Sequence, residues 1–362
     1  MPITQSDYVP ILKWRQGEYQ ALWRLSEMIK DHTVPMIEVT PPDFDFETRT
    51  PTKTIDEHLG DFALRLQKKW GSRLALLDCS LLDPNVRMYG GKHPMLYLCE
   101  NLFVQNATIV PVVKITSDVA YRAAVASAHS LMQTGVALRC SLTEVIDGSV
   151  FDATVRALLQ QLGTTLEDCD VILDLEAPNW DPQNVLVSIV SQALKASHVM
   201  ARSRSLTIAG TSFPESMGEV TGPLQFWPRR EWTFYRAILA CLSADDRVPS
   251  FGDYAIAGHG FAQGDMRLLK PAATIRYACD DGWIIAKGAN VRDNGFGQYR
   301  GCSGNVTSSP FYLGAGYSPG SAYIEDCRSG TASTGNLSTW RWVGTNHHIT
   351  KVVSDLAMLI GP

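Results

Sequence analysis

Seven ionisable residues close short apolar runs in this chain, and their spacing is the first chemical signal it offers. Lys13 ends Val9–Lys13, Glu38 ends Pro35–Glu38 and Asp78 ends Ala75–Asp78. Lys114 ends Val110–Lys114, Arg139 ends Val136–Arg139, and Asp174 and Glu176 end Val171–Glu176. Side chains alternate along a strand. Ile11 therefore shares a face with Lys13, Met36 with Glu38, Leu76 with Asp78, Val112 with Lys114, and Ala137 with Arg139. If the apolar members fill an interior, the charged members ring one end of it. Three cations there suit a phosphate or carboxylate ligand. Arg139 would bind it bidentately, while Lys13 and Lys114 act as point charges; a buried lysine could also form a Schiff base. Asp174 and Glu176 would lie about 6–7 Å apart along one strand. With Asp78 or Glu38 they could hold Mg²⁺ or serve as acid and base. The competing reading is a structural salt-bridge network that closes the interior.

Two further runs carry polar residues at or near their ends. Leu206–Ser212 finishes on Thr211 and Ser212, which could donate hydrogen bonds to a phosphate or serve as ordinary loop polars. Gly252–Gly258 has Asp253 at its start, either opening a strand or capping the turn before it. His347 and His348 stand where a last helix, His347–Ile360, is expected to begin, and helix N-termini attract anions. The expected catalytic set is thus Lys13, Glu38, Asp78, Lys114, Asp174 and Glu176. The expected ligand-binding set is Arg139, Thr211, Ser212, Asp253, His347 and His348. No dedicated metal-ligand motif appears, and of cofactors only Mg²⁺ is suggested. The absence of HExxH, GxSxG and Walker patterns leaves the reaction unnamed.

Eight apolar runs separated by amphipathic helical stretches predict an α/β chain folded as a (β/α)8 TIM-like barrel, whose chemistry sits at the C-terminal mouth of the strands. Thr54 and Glu57 form a capping-box pattern, and Asp118 can cap the helix that follows it. A doubly wound nucleotide fold is disfavoured because no GxGxxG opens a helix after a strand. The expected organisation is a barrel over 1–258 and 336–362, with a β-hairpin and loop insertion over 259–335 lying above the mouth. Within it, β-forming residues flank Asp280-Asp281-Gly282, a hairpin signal. Trp340 and Trp342 read as one face of a strand.

The chain has 362 residues, 45% hydrophobic and 19% charged, which is ordinary for a globular protein. A net charge of −5 argues against a protein whose whole surface binds nucleic acid, though not against a local basic pocket. Eight scattered cysteines without a CxxC pair suggest reduced thiols and a cytoplasmic setting. The opening residues lack the pattern of a signal peptide, and no run is long enough for a membrane span.

The segments YVPILKWRQGEYQAL (Tyr8–Leu22), VPMIEV, GDYAIAG, IRYACDDGWIIAKG and HHI (His347–Ile349) together resemble the phage-type beta protein family, over almost the whole chain. The resemblance implies a phage or mobile-element origin and a place in phage–host conflict; it implies no particular reaction. Lys13, Glu38, Asp253, Trp283 and His347-His348 lie in the shared motifs. Two functions follow. One is a barrel that binds a small phosphate- or nucleotide-like anion, as a lyase or hydrolase. The other is a non-catalytic barrel that sequesters a nucleotide signal, or grips a phage or host protein through the insertion. A nucleic-acid enzyme ranks behind both, given the acidic balance.

Overall fold

The structure is a computed structural model that describes residues 2–261 and 270–360. Eight parallel strands form a closed barrel. In chain order they are Tyr8–Lys13, Met36–Glu38, Ala75–Asp78, Ile109–Lys114, Val136–Ser141, Cys169–Asp174, Ser205–Gly210 and Ser250–Asp253. Each pairs with its sequence neighbour, and the first pairs with both the second and the last. The fold is a (β/α)8 barrel. Near-continuous apolar strands are what it requires, because both faces are covered. Ile11, Met36, Leu76, Val112, Ala137 and Ile172 fill the interior. Leu12, Ile37, Leu77, Val113, Leu138 and Leu173 point outward into the layer under the helices. Each fully buried Leu or Ile contributes roughly 1.5–3 kcal/mol.

The expected caps are present. The Thr54 hydroxyl accepts from the Glu57 amide, and Glu57 returns a bond from the Thr54 amide. Asp118 accepts from the amides of Ala120 and Tyr121. The helices after the first and second strands are each split, into Gln16–Trp23 and Glu27–Asp31, and into Ile55–Leu59 and Phe62–Trp70. No helix among the described residues is long and apolar enough to cross a membrane. All eight cysteines are unpaired.

Three boundaries differ from the sequence reading, and each moves a candidate residue. The sixth strand stops at Asp174, and Glu176 adopts φ 56°, so the backbone turns before Glu176 and breaks the shared face. The eighth strand is Ser250–Asp253 and not Gly252–Gly258. Asp253 therefore ends a strand where it was expected to begin one. The last helix runs Leu337–Ile360, about three turns longer at its start than expected. His347 and His348 consequently lie in its interior, away from its N-terminus, and Trp340 and Trp342 lie on a helix.

The hairpin expected around Asp280–Gly282 forms from Ala272–Ala278 and Gly282–Asn290. It recruits a third strand, Leu224–Pro228, from the segment after the seventh barrel strand, in the order Leu224–Pro228, Gly282–Asn290, Ala272–Ala278. Helices Tyr299–Thr307 and Pro319–Ser329 follow it. Ile275, Tyr277, Tyr299, Ile324, Trp340 and Val343 form a small core shared by this sheet, these helices and the last helix. Part of the 259–335 segment, residues 262–269, lies outside the described residues.

Candidate functional site at the barrel mouth

Arg139 is the hub of the mouth. Ala137 faces the interior, so Arg139 follows it on the same face, one step nearer the C-terminal rim. Its Nε donates to Asp174 Oδ2 at 2.8 Å. Nη1 donates to Glu38 Oε1 at 2.8 Å and to Asp78 Oδ2 at 2.7 Å. Nη2 donates to the Tyr254 hydroxyl at 2.9 Å and stands 2.7 Å from Asp174 Oδ2. The Tyr254 hydroxyl donates onward to Asp174 Oδ2 at 2.6 Å. Backbone amides hold the outer carboxylate oxygens: Ser80 on Asp78 Oδ1 and Glu176 on Asp174 Oδ1. Arg139, Glu38, Asp78, Asp174 and Tyr254 are all buried.

A buried guanidinium loses hydration and would tend to discharge. Here the charges of Asp174, Asp78 and Glu38, with the Tyr254 hydroxyl, outweigh that burial and hold its pKa well above the ordinary value. Burial also raises the Asp78 carboxyl, but Arg139 and then Lys114 overcome it and bring the pKa below normal. Tyr254 is pushed well above its usual value, first by burial and then by Asp174. It stays protonated and serves as a hydrogen-bond donor.

Two lysines complete the ring. Lys13 pairs with Glu38 through the strand register, and its Nζ stands 3.4 Å from Glu38 Oε2. It also donates to the His259 carbonyl at 3.2 Å. Lys114 is the register partner of Arg139. Its backbone amide is bound by Ser117 Oγ, but its ammonium makes no hydrogen bond or ion pair with any described residue. Both lysines are partly exposed. Lys13, Glu38, Asp78, Lys114, Arg139 and Asp174 thus gather as their spacing predicts.

The remaining expected site residues are elsewhere. Glu176 is exposed beyond the end of its strand. Thr211 is buried in a turn, donating to the Ala257 carbonyl and accepting from the Phe213 amide. Ser212 donates to Glu231 and accepts from the Arg230 amide at the start of the helix Arg230–Ala240. Asp253 points outward, because Tyr254 after it points inward. It accepts from the Tyr8 hydroxyl, from the Ala255 amide at 2.7 Å and from His348 Nε2 at 2.8 Å. Trp283 Nε1 donates to His348 Nδ1 at 3.2 Å, which leaves the imidazole proton on Nε2. His347 Nε2 donates to the Ala278 carbonyl, and its Nδ1 accepts from Ser321, whose hydroxyl in turn accepts from Ser318. Burial lowers the His347 pKa to about 3, so it is neutral. Asp253, His347 and His348 are fastenings between barrel, sheet and last helix, and none reaches the mouth.

Tyr254 was not anticipated. Once the eighth strand is set at Ser250–Asp253, parity puts 250, 252 and 254 inward, so a correct boundary would have found it. The Mg²⁺ reading loses its donor set: the three carboxylates converge on a guanidinium, and Glu176 stands apart. Among the described residues no group of three or more His, Cys, Asp or Glu could hold a metal ion.

The model of a family described as Beta protein matches residues 8–354. Among solved structures, the triosephosphate isomerase of Bartonella henselae is similar at 13% identity, with a TM-score of 0.34, over 68% of this chain and 92% of that one. No curated protein matches the chain.

Proposed function

The chain belongs to the Beta protein family, and we propose that its barrel holds a small anion, of phosphate or nucleotide type, at the C-terminal mouth. Lys114 carries this reading: its ammonium sits at the rim of an ionic cluster, acts on Asp78 through its charge alone, and has no hydrogen bond or ion pair among the described residues. An unpartnered cation at a partly desolvated rim attracts an anion more strongly than one in bulk water. Lys13 is the second cation, since it meets Glu38 only at 3.4 Å and remains partly exposed. Arg139 supports the site from below and does not touch the ligand, because each of its nitrogens is already engaged. The phage association implied by the family resemblance gives the ligand a setting, a nucleotide signal exchanged in phage–host conflict.

Binding without turnover is the better-supported form. Asp174 and Asp78 each spend both oxygens on Arg139, Tyr254 or backbone amides, so neither is free to move a proton. The enzymatic form, a lyase or hydrolase, rests on Glu38 Oε2, which lacks a hydrogen-bond partner beside Lys13. Native mass spectrometry of the purified protein, followed by calorimetric titration with inorganic phosphate and pyrophosphate, tests the site. Anion binding that is lost in Lys114→Ala and weakened in Lys13→Ala is expected. Binding that survives both substitutions would refute the assignment. Recovery of the anion chemically unchanged supports the binding form, and its conversion supports the enzyme.

A further inference from the structure

A second cationic surface lies on the outside of the barrel, where the helix Gln16–Trp23 packs against both Phe62–Trp70 and the last helix. Trp23 is 45% exposed there. Lys69 Nζ lies 3.9 Å from its ring centroid, and the Arg24 guanidinium lies 4.9 Å from Trp23 and 4.6 Å from Trp342. Arg65 covers Tyr19 at 5.6 Å. Lys68, next in the chain, is exposed. None of Arg24, Arg65, Lys68 or Lys69 has an ion pair among the described residues. The nearby acids Glu27 and Asp31 are held by Lys30 and Arg73 instead. Burial, and then the charges of Lys68 and Arg24, lower the Lys69 pKa, as expected of cations crowded without a counter-charge.

We propose that Trp23, Arg24, Lys69 and Trp342, flanked by Arg65 and Lys68, form a binding surface for single-stranded nucleic acid. Lys69, Arg24 and Arg65 rest on aromatic faces, and Arg24 also donates to Gln20, but none of the three meets a carboxylate among the described residues. A ring face accepts a stacked base as readily as a cation. A base that replaces Lys69 on Trp23 frees that ammonium for the neighbouring phosphate, so both halves of the present contact find new partners. An acidic protein would satisfy the cations but leave the indole face unused, and a duplex would offer phosphates without exposed base faces. Single strands use both features. The net charge of −5 is compatible with this, because the cations are local.

Anisotropy of a fluorescein-labelled oligo-dT 20-mer, with indole fluorescence followed in parallel over a salt series, tests the surface in the full chain. Binding with indole quenching is expected, with a log–log salt slope of about −2 to −3 for three or four phosphate contacts. Trp23→Ala should weaken it at least about fivefold, the lower end of the loss of one stacked base. Lys69→Glu should weaken it and flatten the slope, while circular dichroism shows both variants folded. Lys114→Ala should leave it unchanged, separating this surface from the mouth. Absence of binding at low salt overturns the proposal. So does binding indifferent to both Trp23→Ala and Lys69→Glu, and so does equal affinity for duplex DNA or polyglutamate.

Discussion

Two buried polar centres lie one residue apart in the chain, on opposite sides of the barrel wall. Tyr254 turns into the barrel and joins Arg139, Glu38, Asp78 and Asp174. Asp253 turns outward and joins Tyr8, His348 and Trp283. Both are dense with hydrogen bonds and buried. The inner one is ionic and ends in two partly exposed lysines; the outer one is sealed by the last helix and the added sheet. Burial and perturbed titration therefore do not identify a site by themselves. What separates the two is whether a charged group without a hydrogen bond or ion pair remains at the edge, as Lys114 does at the inner centre.

The largest effect expected is on the inner hub. Arg139→Met leaves three carboxylates buried without their common partner, and removing one member of such a network costs roughly 3–5 kcal/mol. Urea denaturation reads this directly, and a loss under about 1 kcal/mol would show that the cluster hydrates freely. At the outer centre His348→Ala leaves Asp253 Oδ2 and the Trp283 indole donor without partners, an expected cost of about 1–3 kcal/mol. Pyrophosphate binding should be unchanged in that variant. If it falls, the two centres are coupled and the contrast between them fails.

The edge of the outer centre should show in the pH dependence of stability. Glu231 is fully buried; this burial, opposed by Arg229, raises its pKa from 4.5 to about 7. Between those values the folded chain keeps a proton that the unfolded chain has released. Its contribution is thus present at low pH and lost as pH rises through about 7. His347 acts in the other direction: with its pKa lowered from 6.5 to about 3, it weakens the fold as pH falls below 6.5. Thermal unfolding of Glu231→Gln from pH 5 to pH 8 should show less loss on the alkaline side than the parent. An unchanged profile would mean Glu231 is ionised in the folded chain. The smallest effect on stability belongs to Lys114→Ala, which removes a charge that acts on Asp78 without an ion pair and should cost no more than about 1 kcal/mol, while abolishing anion binding. A large destabilisation would move Lys114 from ligand cation to structural cation.

The inner centre was legible because strand periodicity is local. The match of apolar filling to charged tip at Lys13, Glu38, Asp78, Lys114, Arg139 and Asp174 survives small errors in strand length. Candidates at misjudged boundaries were misplaced. Glu176 lies past a backbone turn, and Asp253 was assigned to the start of a strand that it ends. His347 and His348 were placed at a helix N-terminus because the apolar spacing of Val352, Val353 and Leu356 is clear only after them. The three preceding turns carry Trp340 and Trp342 against a second small core, which disguises their helical period.

By itself the amino-acid order determined that six of eight parallel strands would carry ionic tips to one rim, since alternation and apolar run length are properties of each segment alone. Only the tertiary structure decided that Arg139 spends its donors on Asp174, Glu38, Asp78 and Tyr254, and that the Lys114 ammonium is left without a hydrogen bond or ion pair among the described residues. It also decided that Asp253 turns away toward His348. Which charge meets which depends on barrel stagger and on strands far apart in sequence, and no local pattern encodes that.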